Sequence, residues 1–99
     1  MTLGYAREEF TGMLGKLICW AYEQGYRLRI CDALAKTGHM DGSNHGLGLA
    51  TDIAVFKPGA TEQDMEAHRR MHDAWDSLGG APRIEADLNH YSYRWQGRY

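Results

Sequence analysis

Ser43-Asn44-His45-Gly46-Leu47-Gly48-Leu49-Ala50-Thr51-Asp52 leads from a polar loop into an apolar run that ends at Phe56. The run, Ala50 to Phe56, reads as a buried strand that carries Asp52. Gly46 and Gly48 point to a tight backbone path in which a bulky side chain does not fit. An imidazole in the loop and a carboxylate on the next strand can converge on one metal ion, provided the chain supplies a third ligand.

The segment Asp87-Leu88-Asn89-His90-Tyr91 offers one. His45, Asp52 and His90 make two nitrogens and one oxygen. That set suits Zn²⁺ with a fourth position left for water. Asp87, three residues before His90, is then near enough to that water to be the general base. Glu85 is the fallback base.

Outward from this stretch, the chain before it reads as a helix over about Ala6 to Gln24. Phe10, Met13, Leu14, Leu17, Ile18 and Ala21 form one apolar stripe. Gly12 and Gly15 suggest close approach by another element, and Gly25 is placed to end the helix. Tyr26 to Asp32 alternates as a half-buried strand, with Tyr26, Leu28 and Ile30 on one face. Lys36 to Asn44 is a polar loop. Pro58-Gly59 ends the strand after Asp52. Thr61-x-x-Asp64 resembles a capping box for a second helix to about Leu78, with Met65, Met71 or His72, Trp75 and Leu78 inward and Gly79-Gly80 as the stop. Pro82 to Asp87 is a connection. His90 to Trp95 reads as a last strand, with Tyr91, Tyr93 and Trp95 as core and sheet face. The order helix, strand, strand, helix, strand predicts an α+β domain, with helices packed on a small antiparallel sheet.

His68 and His72 are spaced i, i+4 on the second helix, as in H-E-x-x-H, but Arg69 stands where that motif has glutamate. They are expected to be a dispensable helix-surface pair. Cys19 and Cys31 lack C-x-x-C spacing and are expected to be buried reduced thiols. Ninety-nine residues with 43% apolar and 24% charged content predict one small globular domain over 1–99. Its core is modest enough for a bound metal to add to its stability. A net charge of −2 gives no basic surface for nucleic acid or membrane. No run approaches the ~18 apolar residues of a membrane span. Met1 to Glu9 lacks a signal-peptide layout, so a soluble monomer made in a bacterial host cytoplasm and acting after release is expected.

Ser43-x-His45-x-x-Gly48-x-Ala50-x-Asp52 is similar, at every fixed position, to the S-x-H-x-x-G-x-A-x-D signature of the D-Ala-D-Ala carboxypeptidase family of zinc peptidases. Asp87-x-x-His90 resembles that family's second motif. The resemblance spans most of the chain and implies a Hedgehog/DD-peptidase-like fold. It implies Zn²⁺ held by His45, Asp52 and His90, Asp87 as base, and peptidoglycan stem peptides as substrate. Within the family the chain looks most like the small phage endolysins that cut the L-alanyl-D-glutamate bond. A D,D-carboxypeptidase or dipeptidase is the alternative enzyme. A non-enzymatic, zinc-stabilised wall-binding virion module is the alternative outside enzymes. One position departs from the family. Many members carry an arginine soon after the first strand, whereas Cys31 to Lys36 has none, which leaves Arg29 or Lys36 to supply the charge. Ser43 and His39 are the other candidate substrate-side residues.

Overall fold

A strand that is mostly buried needs neighbours on both edges and cover on its faces. Ala50–Phe56 has both. The computed structural model describes residues 1–31 and 44–99. Among these, α1 (Leu3–Glu23), β1 (Arg27–Ile30), β2 (Ala50–Phe56), α2 (Met65–Ser77) and β3 (His90–Ser92) follow in order. The sheet is antiparallel, β1-β2-β3, with β2 central. Two helices pack on this three-stranded sheet, which is the α+β arrangement expected. His39, Ser43 and Lys36 lie outside the described residues.

Alternation along β2 divides its side chains. Ile53 and Val55 join Phe10, Leu17, Met71, Trp75 and Tyr91 in the core between sheet and helices. Asp52, Ala54 and Phe56 take the other face. There the Arg29 guanidinium lies 4.5 Å from the Phe56 ring centroid and that of Arg27 lies 5.9 Å away, so both help to cover the buried ring.

The helix boundaries differ from expectation for identifiable reasons. α1 starts at Leu3, before Ala6, because the Thr2 hydroxyl caps it by accepting from the Tyr5 N–H. Among the described residues nothing comes within 4 Å of a Cβ placed at Gly12 or Gly15, so the close approach expected there is not seen. α2 starts at Met65 and not at Thr61. Asp64 is extended, its N–H donates to the Val55 carbonyl at the end of β2, and its carboxylate caps the helix through the Ala67 N–H at 3.1 Å. That N–H bond, with Lys57 adding to it, holds the Asp64 carboxyl below its ordinary range. Met65, expected inward, is 46% exposed, because the helix turns Ala67, His68, Met71, His72 and Trp75 to the core.

Both helices end in the same motif. Gly25 and Gly79 sit at positive φ, and the next N–H in each case reaches back to the carbonyl of Ala21 or Trp75. Gly80 is required for a second reason: a Cβ there would stand 2.0 Å from the Trp75 indole nitrogen.

β3 ends at Ser92, opposite Ala50, the first residue of β2, and one further bond, from the Tyr93 N–H to the Leu49 carbonyl, extends the ladder past it. Beyond it Trp95 and Arg98 pair across a turn in which Gln96 and Gly97 both have positive φ. Ile30, expected to share the buried face of β1, is 45% exposed at the sheet edge. Cys19 and Cys31 are free thiols, but both are exposed. Cys19 falls off the α1 stripe, and Cys31 lies just past β1. No helix among the described residues is long and apolar enough to cross a membrane.

The two readings of the α2 start differ in outcome. Asp64→Ala should lower stability by about 1 kcal/mol. Thr61→Ala should leave the urea midpoint almost unmoved. Equal losses in the two variants would restore the start at Thr61.

Candidate metal centre

His45 stands in a turn held from both ends. Asn44 before it is fully buried, and its amide Nδ2 donates to the carbonyls of Tyr93 (2.7 Å) and Arg98 (3.1 Å). The Asn44 carbonyl accepts from the Leu47 and Leu49 N–H groups, closing the turn. On the far side the Arg7 Nε of α1 donates to Leu47 O at 2.7 Å. Gly48 has φ +72°, and a Cβ there would meet Arg7 Nε at 3.2 Å. The glycine therefore answers both a conformational need and a close approach. Asn44 and Arg7 went unnoticed in the sequence. Asn44 occupies a variable position of the signature, and nothing near Arg7 marks it.

Asp52 and His90 are brought together by register. They are direct partners across the β2–β3 ladder, on the face away from the helices. Side chains so paired have Cβ atoms ~4.5–5.5 Å apart. His45 closes on them from its turn. His45 Nε2 lies 3.3 Å from Asp52 Oδ1 and 3.1 Å from His90 Nδ1, and His90 Nδ1 lies 3.7 Å from Asp52 Oδ1.

Three ligand atoms of one tetrahedral ion, each ~2.0–2.1 Å from it, lie about 3.3–3.4 Å from one another. The observed triangle has that size. His90 is buried, and that burial, followed by the charge of His45, pushes its imidazole below the ordinary value of 6.5. The neutral ring is the form that ligates. Its other nitrogen, Nε2, is buried and makes no hydrogen bond among the described residues, so packing and Nδ1 set the ring's orientation. His45, Asp52 and His90 thus form a cluster that could bind a metal ion.

Asp87 is exposed, beside the cluster and not part of it. The D-x-x-H spacing is a β-turn: the His90 N–H donates to Asp87 O at 3.1 Å. The Asp87 charge acts on the His90 imidazole. Glu85 acts instead on Arg83. Of the two carboxylates considered as base, Asp87 is the one whose charge is felt at His90. Arg29 lies opposite Ala54, two residues along the strand from Asp52 and on its face, stacked on Phe56.

His68 and His72 are not a surface pair. Both are fully buried, because they share the inward face of α2 with Met71 and Trp75. His68 has both ring nitrogens engaged, whereas His72 has only Nε2 engaged and its buried Nδ1 has no partner among the described residues, so the two do not offer a pair of lone pairs to a second ion. His68 contacts the Tyr91 hydroxyl through Nδ1 and Gln63 Oε1 through Nε2, both at 2.8 Å. His72 Nε2 donates to Leu88 O at 2.7 Å, and its ring stacks on Tyr91 with centroids 4.2 Å apart. Burial, with the nearby His72 adding to it, lowers His68 to about 4. Burial also lowers His72. Tyr91 is core, and Tyr93 and Trp95 pack partly against it.

These lowered values set a pH dependence. The unfolded chain takes up protons near 6.5 that the folded histidines refuse, so their contribution is complete above that pH. It is lost as pH falls below 6.5, for His68 down to about 4, at up to about 1.4 kcal/mol per pH unit for each histidine that titrates. Urea denaturation of chelator-treated protein between pH 7.5 and 4.5 should show this slope, and His68→Gln should make it shallower. A flat profile in the parent would contradict the burial of these rings.

Compared with protein-family models, with curated proteins and with solved structures, the chain matches none.

Proposed function

We propose that this chain is a zinc-dependent peptidase that cleaves peptidoglycan stem peptides, in the manner of the L-alanyl-D-glutamate endopeptidases of phage endolysins and on a Hedgehog/DD-peptidase-like fold. The observation that carries the reading is the convergence of His45 Nε2, Asp52 Oδ1 and His90 Nδ1 within 3.1–3.7 Å. These are the residues that stand at the ligand positions of the two motifs.

A zinc ion bound by these three supplies Lewis acidity toward a peptide carbonyl and lowers the pKa of water to about 7. The protein's own part is orientation and proton transfer. Asp52 and His90 hold their ligand atoms on paired strands, and His45 closes from its pinned turn. Asp87 accepts the proton of the attacking water and returns it to the leaving amine. Arg29, with its guanidinium over the Phe56 ring, lies on the face of Asp52 and serves as the cation for a substrate carboxylate or the developing oxyanion.

The absence of arginine from Cys31 to Lys36 favours a second reading, a zinc-stabilised module that binds wall peptide without cleaving it. Digestion of purified peptidoglycan with and without chelator, with the new termini identified by mass spectrometry, separates the readings. New L-alanine carboxyl and D-glutamate amino ends support the endopeptidase. Released D-alanine points to a D,D-carboxypeptidase or dipeptidase. Intact wall with bound protein leaves the module.

Two variants test the assigned roles. His90→Ala should lose most of its zinc by elemental analysis, and full occupancy would remove the site as drawn. Asp87→Asn should keep zinc and fold while turnover per folded, zinc-loaded molecule drops by ~10²–10⁴-fold. Near-parent turnover by that measure would move the base to Glu85.

A further inference from the structure

The buried histidines of α2 are not used by the chemistry above, yet they grip the segment that supplies two of its residues. We infer that His72, assisted by His68 through Tyr91, is a positioning residue for the candidate centre: it fixes the Asp87–His90 turn and thereby sets the place of both the base and the third ligand. This deepens the peptidase reading and rests on it.

A β-turn presents its central carbonyls outward, and each needs a partner if buried. In the Asp87–His90 turn the two central residues are Leu88 and Asn89. The Leu88 carbonyl accepts from His72 Nε2 at 2.7 Å, and the Asn89 carbonyl accepts from the Ile53 N–H of β2 at 2.9 Å. The Leu88 side chain is itself buried. The turn is therefore fastened to α2 by one carbonyl and to β2 by the next. Without the α2 bond, Leu88 and Asp87 could swing about the Asn89 anchor.

The grip continues on the other side of His90. Tyr91 stacks on the His72 ring at an interplanar angle of 9°, and its hydroxyl meets His68 Nδ1. His68 is anchored in turn by Gln63. Residues 88 and 91, which flank His90, are thus held by two side chains one helical turn apart on the same helix face. The His90 ring needs no contact with α2 to be oriented by it.

The donor on His72 is what makes the residue more than filler. A carbonyl only accepts, so Nε2 carries the proton. Leucine at this place would fill much of the volume and leave the Leu88 carbonyl buried without a partner. Purely structural packing predicts that leucine serves as well as histidine once the chain is folded. Positioning predicts that it does not, and that another donor of similar reach restores the function.

The intact chain is titrated with Co²⁺, with affinity and the visible d–d spectrum as readouts, for the parent, His72→Leu, His72→Gln and Tyr91→Phe. Folded fraction is checked by circular dichroism, and exchange of the His90 amide proton is followed by NMR. Folded His72→Leu should bind Co²⁺ about 10–100-fold more weakly with an altered spectrum. It should also exchange its His90 amide faster. His72→Gln should recover most of the affinity and protection. Parent affinity, spectrum and protection in folded His72→Leu would overturn the inference. If His72→Leu does not fold, Tyr91→Phe decides. It keeps the stacked ring and loses only the hydroxyl, and a several-fold loss of affinity is expected, whereas parent affinity would overturn the inference. A parent that binds no Co²⁺ removes the metal reading instead. The positioning of the turn is then judged by His90 amide protection alone, unchanged protection in the variants counting against it.

Discussion

The pairing of Asp52 with His90 across the β2–β3 ladder is the constraint on which the rest depends. Side chains alternate along a strand, so a slip of one residue would send His90 to the core and Tyr91 to the metal face. Three things prevent that slip. Ile53 and Val55 are fully buried on the helix side, as is Tyr91. The Ile53 N–H is taken by the Asn89 carbonyl. The Tyr93 N–H continues the ladder to Leu49. The register that places two polar ligands together is thus enforced by apolar side chains on the opposite face. The site's geometry is a by-product of core packing, and it is as stiff as the core.

This explains why some features were legible in the sequence and others were not. Ala50 to Phe56 could be read because Ile53 to Phe56 is a short apolar run rich in β-branched and aromatic residues and closed by Pro58-Gly59, and the strand has those bounds. The convergence of His45, Asp52 and His90 could be read because it is carried by two local motifs. What failed were judgements that depend on distant partners. His68 and His72 looked like surface residues because histidine is polar. Their burial is made possible by Gln63, by Leu88 O and by the Tyr91 hydroxyl, the last two on a segment that joins α2 only in the fold. The start of α2 was misplaced because the Asp64 N–H is claimed by Val55, a tie that no helix-start pattern contains. The cysteines were assigned to the interior on type alone, although Cys19 lies off the apolar stripe that the same sequence displays.

Ligands borne on a sheet and a ligand borne on a turn differ in rigidity. Asp52 and His90 are held by backbone pairing, whereas His45 depends on side chains. The Asn44 amide spans to Tyr93 and Arg98, so the turn is tied to the chain just beyond β3. The Arg7 guanidinium ties the same turn to α1. Side-chain bonds of this kind each contribute about 1 kcal/mol net, less than a strand shared between two ladders. His45 is therefore the arm of the triangle with the most freedom. A cation that draws His45 onto two fixed partners would also stabilise the turn, which is how metal binding and folding become linked in a domain with a small core.

A proton-transfer group has two demands that conflict. It must reach water, which favours an exposed side chain, and it must hold a fixed distance from the reacting atoms, which favours a buried one. As the base of the proposed reaction, Asp87 would meet both by dividing them between side chain and backbone. Its carboxylate is exposed, while its carbonyl accepts from the His90 N–H and the next two carbonyls are fastened to α2 and β2. Position is imposed through the turn, and the carboxylate keeps its solvent. Glu85 has the same exposure, but it lies ahead of that clamp and its charge is directed to Arg83. The difference between the two acids lies in the backbone that carries them. The spacing of three before His90 matters because it is the span of one β-turn, which makes His90 and Asp87, the ligand and the base of the proposed reading, the two ends of a single unit.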